Sequence, residues 1–144
     1  MSARRSSHAV YDTKYHLVWA PKYRKHILAG RPSERLKEIF LKIADEYDWA
    51  IDTMEVMPDH VHLFLSFPPK YSIAWVVKAL KSLSSRKMFE EFDWLKKHLW
   101  RGELWEDGYF ARTVGDEVTA EVIRRYIRYQ RAHEEGPKQL RFSF

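Results

Sequence analysis

Residues 50–67 read AIDTMEVMPDHVHLFLSF, and the fold turns on them. Two short runs, 50–56 and 60–67, flank Met57-Pro58-Asp59, and Pro68-Pro69 stops the second. That punctuation predicts two strands joined by a tight connection. On a strand, side chains alternate between faces. Val61, Leu63, Leu65 and Phe67 therefore share a core face, while His60, His62 and Phe64 share the other. A phenylalanine beside two histidines calls for something to cover that second face.

Working outward, residues 15–20 (YHLVWA) read as a strand ended by Pro21. After Gly30-Arg31-Pro32-Ser33, Leu36, Ile39, Phe40, Ile43, Ala44 and Tyr47 recur with the helical period. A second helix is predicted over 72–89, with Ile73, Val76, Val77, Leu80 and Leu83 inward and Lys78, Lys81, Arg86 and Lys87 outward. Residues 104–114 contain Asp107-Gly108, a two-residue hairpin signal. A last helix is predicted from Asp116 or Thr119 to Glu135, before Gly136-Pro137. The order is strand, helix, strand, strand, helix, strand or hairpin, helix. It predicts an α+β fold: a ferredoxin-like (RRM-like) antiparallel sheet with helices on one face and an appended C-terminal helix.

The composition bounds the function. A chain of 144 residues, 45% apolar and 31% charged, is expected to fold as a single domain over 1–144. The absence of cysteine excludes disulfides, a thiol nucleophile and thiolate zinc sites. The longest apolar run, 73–77, is too short to span a membrane, and residues 1–7 lack the apolar stretch of a secretory signal. A cytoplasmic location is expected, at the nucleoid when bound to DNA. The net charge of +5 is unevenly placed: Arg4, Arg5, Lys14, Lys22, Arg24, Lys25 and Arg31 face one acid, Asp12, in residues 1–31. With six Trp, eight Tyr and eight Phe, this balance suits single-stranded nucleic acid, where bases stack on rings and cations track phosphates.

His60 and His62 are a ready pair of metal ligands, because both imidazoles project from one strand face. The last helix supplies the candidate cover. Tyr126 and Gln130 lie about 40° apart on an ideal helix, one turn above the other. Val122 and His133 fall on the same side, Ile123 and Ile127 flank it, and Arg124, Arg128 and Arg131 fall opposite. Laid across the sheet, this helix brings Tyr126 beside His60 and His62 and offers the Gln130 amide oxygen as a third ligand. The structural alternative is a core tyrosine, a boundary glutamine and two surface histidines.

Five stretches together resemble the HUH-type single-tyrosine transposases of the IS200-like insertion sequences, including their REP-associated members. They are 15–28 (YHLVWAPKYRKHIL), 57–65 (MPDHVHLFL), 78–89 (KALKSLSSRKMF), 104–115 (LWEDGYFARTVG) and 122–130 (VIRRYIRYQ). The resemblance implies a divalent metal, Mg²⁺ or Mn²⁺, at His60 and His62 with Gln130 as third ligand. It implies Tyr126 as the nucleophile that cuts and rejoins single-stranded DNA through a 5′-phosphotyrosine. The family usually has Glu-Asn where this chain has Arg128-Tyr129, which places a second tyrosine beside the motif. It also implies a hairpin at the element end as DNA partner, and a homodimer. Residues 17–19 and an apolar surplus for a small chain point to a partner surface as well.

Lys22, Tyr23, Arg24 and Lys25 form a dense basic-aromatic loop, either solvated or in contact with phosphates. Lys78, Lys81, Arg86 and Lys87 either line a hairpin or form a charged outer helix face, and His133 is a candidate for the general base. Other classes remain: a metal-dependent single-strand endonuclease in which water attacks, a replication initiator or relaxase with the same chemistry, and a non-catalytic module that binds single strands.

Overall fold

The computed structural model describes residues 3–99, 102–115 and 117–132, the side chains of 117–119 and 130–132 excepted. A two-stranded ribbon, β1 (Arg4–Arg5) and β2 (Val10–Tyr11), precedes β3 (Lys14–Trp19). A 3₁₀ turn at Lys22–Arg24 leads to α1 (Arg31–Glu46), then β4 (Ala50–Met57), β5 (His60–Ser66), α2 (Ile73–Glu91), the short α3 (Leu95–His98), β6 (Phe110–Val114) and α4 (Glu117–Ala132).

Local chemistry sets these boundaries. Gly30 enters α1 at φ 65°, a conformation that side chains resist, and Pro32 fits the first turn. Ser72 caps α2, its Oγ accepting from the Trp75 N–H at 3.0 Å.

The main sheet has the order β4-β5-β3-β6, with every neighbouring pair antiparallel. β3 and β4 therefore run parallel with β5 between them, and β5 and β6 run parallel with β3 between them. These are two interlocked split βαβ units, the ferredoxin-like plan expected from the order of elements. One face carries the main core, where Leu17, Trp19, Leu63 and Leu65 meet Leu36, Phe40, Val76 and Leu80 from α1 and α2. The other face buries a smaller cluster of Phe64, Val114, Ala120, Ile123 and Ile127 beneath α4. Among the described residues no helix is long and apolar enough to cross a membrane.

Three expectations fail here. Asp107-Gly108 does not close a hairpin: residues 104–106 make only an isolated bridge, Pro21 with Trp105, and β6 is a single strand. The cause is Lys81, expected outward. Its Nζ donates to the carbonyls of Glu106 at 3.0 Å and Gly108 at 2.8 Å, pinning this loop against α2. Burial pulls the Lys81 ammonium below its ordinary value, against the opposing pull of Asp107 and Glu106. Residues 17–19 offer no partner surface, because β3 is an interior strand and all three side chains are buried within the chain. The predicted helix end at Glu135 lies outside the described residues.

Candidate active site

β5 is central, so its histidines are held from both sides of the sheet. His60 and His62 are fully buried, with ring centroids 4.8 Å apart. The His60 Nδ1–H donates to Asp59 Oδ1 at 2.8 Å. Burial pushes the Asp59 carboxyl up, but the bond from His60 and the neighbouring Arg24 and His26 outweigh it and hold the group below the carboxylate range. Asp59 therefore accepts as an anion, and the basic lone pair of His60 is fixed on Nε2. His62 Nδ1 lies 3.2 Å from His16 Nε2 of β3, the two ring planes within 11° of parallel and meeting edge to edge. Burial and Arg112 pull the His16 imidazole down to about 4. Neither His16 nor Asp59 was singled out from the sequence. His16 follows from pairing β3 with β5, which sets it opposite Phe64 on the histidine face, and Asp59 directly precedes His60.

α4 covers these histidines, turned differently from the expected wheel. Arg124, expected outside, is buried, and Val122, expected inside, is 58% exposed. The reason lies on β4, where a register shift between Ile51 and Thr53 leaves Asp52 as the extra residue of a bulge. Arg124 Nε and Nη2 donate to Asp52 Oδ1 and Oδ2 at 2.8 and 2.9 Å, and Nη1 donates to Glu121 Oε2 at 3.1 Å. The guanidinium also lies 5.7 Å from the Phe64 ring centroid. Burial raises the Asp52 carboxyl, but bonds from Arg124 and Thr53 outweigh it and leave it lowered. Because the folded value is depressed, the clamp is at full strength above about pH 4 and weakens as pH falls through the folded value. Arg124→Ala strands a largely buried carboxylate at a cost of about 3 kcal/mol. Amide hydrogen exchange across α4 should then accelerate by about 100-fold, with β3 and β5 still protected. Unchanged exchange in α4 would refute the clamp.

Tyr126 comes to rest half-buried, its ring centroid 6.3 Å from that of His62 and nearly perpendicular to it. Burial raises its phenol above the ordinary value of 10. Tyr129 points out, 52% exposed. The Gln130 backbone continues α4, but its side chain lies outside the described residues, as does His133. Among the described residues no three His, Asp or Glu side chains gather as a cation cage. The donor set nonetheless suits a metal: two buried imidazoles, each with Nδ1 held by a partner, to be completed by an oxygen ligand of another type.

The loop 22–25 borders this site through Asp59. Arg24 Nη2 and His26 Nε2 lie 3.6 and 3.7 Å from Asp59 Oδ2. Lys22 pairs with Glu103 at 3.0 Å, and Lys25 Nζ donates to the His98 carbonyl at 2.6 Å. The loop cations are thus tied to the protein body. Tyr23, between them, is 58% exposed. Tyr23 and Arg24 both take positive φ, 61° and 50°, which costs non-glycine residues on the order of 1 kcal/mol each. The α2 cations Lys78, Arg86 and Lys87 are exposed and do not join this site.

The family profile described as "Transposase IS200 like" matches residues 9–130. The chain is 45% identical over 125 residues to the ISDra2 transposase TnpA of Deinococcus radiodurans, covering 87% of this chain and 89% of that protein. It is 33% identical over 138 residues to the IS200 transposase of Salmonella typhimurium, covering 96% and 90%. Among solved structures, a candidate transposase from Deinococcus radiodurans superposes with a TM-score of 0.71 at 40% identity, over 88% of this chain and 97% of that one. A REP-associated tyrosine transposase bound to a REP hairpin superposes at 0.64 over 94% and 75%; at 16% identity it speaks for the fold alone.

Proposed function

The chain belongs to the IS200-like transposase family, and on that premise we propose that it cuts and rejoins single-stranded DNA at insertion-sequence ends through a 5′-phosphotyrosine on Tyr126. The observation that carries this reading is the approach of the Tyr126 ring to His62, 6.3 Å between centroids, on a helix clamped over the histidine strand. His60 and His62 would hold a divalent metal, Mg²⁺ or Mn²⁺, with Gln130 as third ligand. When bound, it supplies positive charge to the scissile phosphate, undiminished by any anionic ligand in this set.

The chain's own residues do the rest. Tyr126 Oη attacks phosphorus as the bond to the 3′ oxygen breaks. The phenol proton is balanced by the one taken up on the released 3′-hydroxyl, and the 5′-phosphate stays on the tyrosine. Because the link conserves the phosphodiester, a 3′-hydroxyl from another strand can reverse the step and join new ends. A phenol is protonated at neutral pH in any case, and burial that raises the Tyr126 pKa makes it a still poorer nucleophile without activation. Asp59 holds His60 in the ligating tautomer and, on its other oxygen, the loop arginine. Lys22, Arg24 and Lys25 would then form a fixed basic wall with Tyr23 as a stacking surface for a base.

A hairpin with a single-stranded flank is the proposed DNA partner; the REP-associated fold neighbour is bound to a REP hairpin. A homodimer is part of the proposal, and its support is now the exposed edge strand β6, whose outer side pairs with nothing among the described residues. A single-chain mass at micromolar concentration in light scattering would remove that part.

The deciding experiment is incubation with single-stranded element ends and Mg²⁺ or Mn²⁺, followed by denaturing electrophoresis. A metal-dependent protein–DNA band that survives denaturation is expected. Metal-dependent cleavage without that band makes water the nucleophile, and binding without cleavage leaves only a nucleic-acid-binding module.

A further inference from the structure

We propose that His16 is a positioning residue: its Nε2 accepts the hydrogen bond that His62 Nδ1–H donates, fixing the His62 tautomer that presents Nε2. The inference rests on the reading of His60 and His62 as metal ligands and names the device that prepares the second of them.

The geometry leaves little freedom. His16 faces Phe64 in the β3–β5 register, diagonal to His62, and its Nε2 lies 3.2 Å from His62 Nδ1. The ring centroids lie 5.4 Å apart with planes within 11° of each other, so the two nitrogens meet edge to edge in nearly one plane, and Phe110 of β6 packs against His16 with an edge contact at 5.9 Å. His16 is only 6% exposed. Both neighbouring strands therefore fix the ring, and water has little access to compete for the bond.

One hydrogen joins two nitrogens, and its position has consequences. If it sits on His62 Nδ1, the lone pair of His62 is on Nε2, available to a cation. If it sits on His16 Nε2, His62 Nδ1 is the acceptor, Nε2 carries the other hydrogen, and ligation is blocked. A metal-ligating histidine donates its second N–H to an oriented acceptor. For His60 that acceptor is the Asp59 carboxylate; for His62 it is another imidazole. The two ligands are thus inequivalent: a carboxylate raises the basicity of the imidazole it holds, whereas an imidazole acceptor orients without adding charge.

Long-range ¹⁵N–¹H NMR on the metal-free protein reads the tautomers directly. The expected result is His62 protonated at Nδ1 and His16 bearing its lone pair on Nε2. Mn²⁺ titration followed by electron paramagnetic resonance gives the second readout. His16→Phe, which keeps an aromatic ring of similar bulk but no acceptor, should weaken Mn²⁺ binding by about tenfold or more. His16→Gln, whose amide oxygen still accepts, should stay within about threefold of wild type. A wild-type His62 protonated at Nε2 overturns the proposal, and so does His16→Phe with undiminished Mn²⁺ affinity. Wild-type protein that binds no Mn²⁺ overturns the metal reading itself, while the tautomer measurement still decides the His16–His62 bond.

Discussion

Tyr126→Phe should abolish the covalent protein–DNA adduct while Mn²⁺ and DNA binding persist, and Tyr129→Phe should leave the adduct at wild-type levels. Cleavage in the Tyr126 variant should drop to background, a loss on the order of 10⁴-fold or more, as when an enzyme loses its nucleophile. The two tyrosines lie about 60° apart on an ideal helix, so the sequence leaves both able to face the sheet. The structure separates them: the Tyr126 ring packs near His62, whereas Tyr129 is more than half exposed. Reaching the same phosphate from Tyr129 would require α4 to roll, and the bidentate Arg124–Asp52 bond opposes that roll. Peptide mapping of the trapped adduct to Tyr129 would overturn the assignment.

The second large effect belongs to the histidines. His60→Ala or His62→Ala should remove cleavage, by at least about 10³-fold, and leave hairpin binding within a few-fold of wild type. The separation follows from position. Both imidazoles are buried on β5, whereas Lys22, Tyr23, Arg24 and Lys25 sit on a loop outside the sheet. Because the alanines leave holes beneath α4, His62→Gln is the better control: it keeps most of the bulk and the polarity but changes the donor geometry. Folding is checked by far-ultraviolet circular dichroism and binding by fluorescence anisotropy at matched salt, since phosphate contacts are salt-dependent. Full cleavage by His60→Ala/His62→Ala in Mg²⁺ would sink the metal assignment.

Much of this arrangement is legible in the sequence wherever a single periodicity decides. The two-residue alternation in 60–66 put His60, His62 and Phe64 on one face, and the helical repeat in 31–46 gave α1 its buried stripe. The need for a cover over Phe64 was likewise readable, and α4 supplies it. What resisted reading depended on pairs distant in the chain. The Asp52–Arg124 bond needs a bulge that breaks the alternation of β4, so an ideal wheel put Arg124 on the wrong side of α4. The Asp107-Gly108 signal was overruled by Lys81, whose reach onto two loop carbonyls no local pattern reveals. His16 lay in plain sight on its strand, but its meaning appears only when β3 pairs with β5.

The interlocked sheet also orders events in time. β3 emerges from the ribosome before either of its partners, with α1 and β4 still to come before β5 and α2 before β6. Until β5 arrives, Leu17, Val18 and Trp19 form an apolar segment with both edges open, the kind of stretch that invites chaperones or aggregation. Long-range pairing of this sort slows folding, because loop closure precedes the contacts that reward it. The histidine pair is aligned once β4, β5 and β3 have met, whereas the helix that covers it follows all of these strands. A nascent chain therefore carries the proposed ligand pair before the proposed nucleophile.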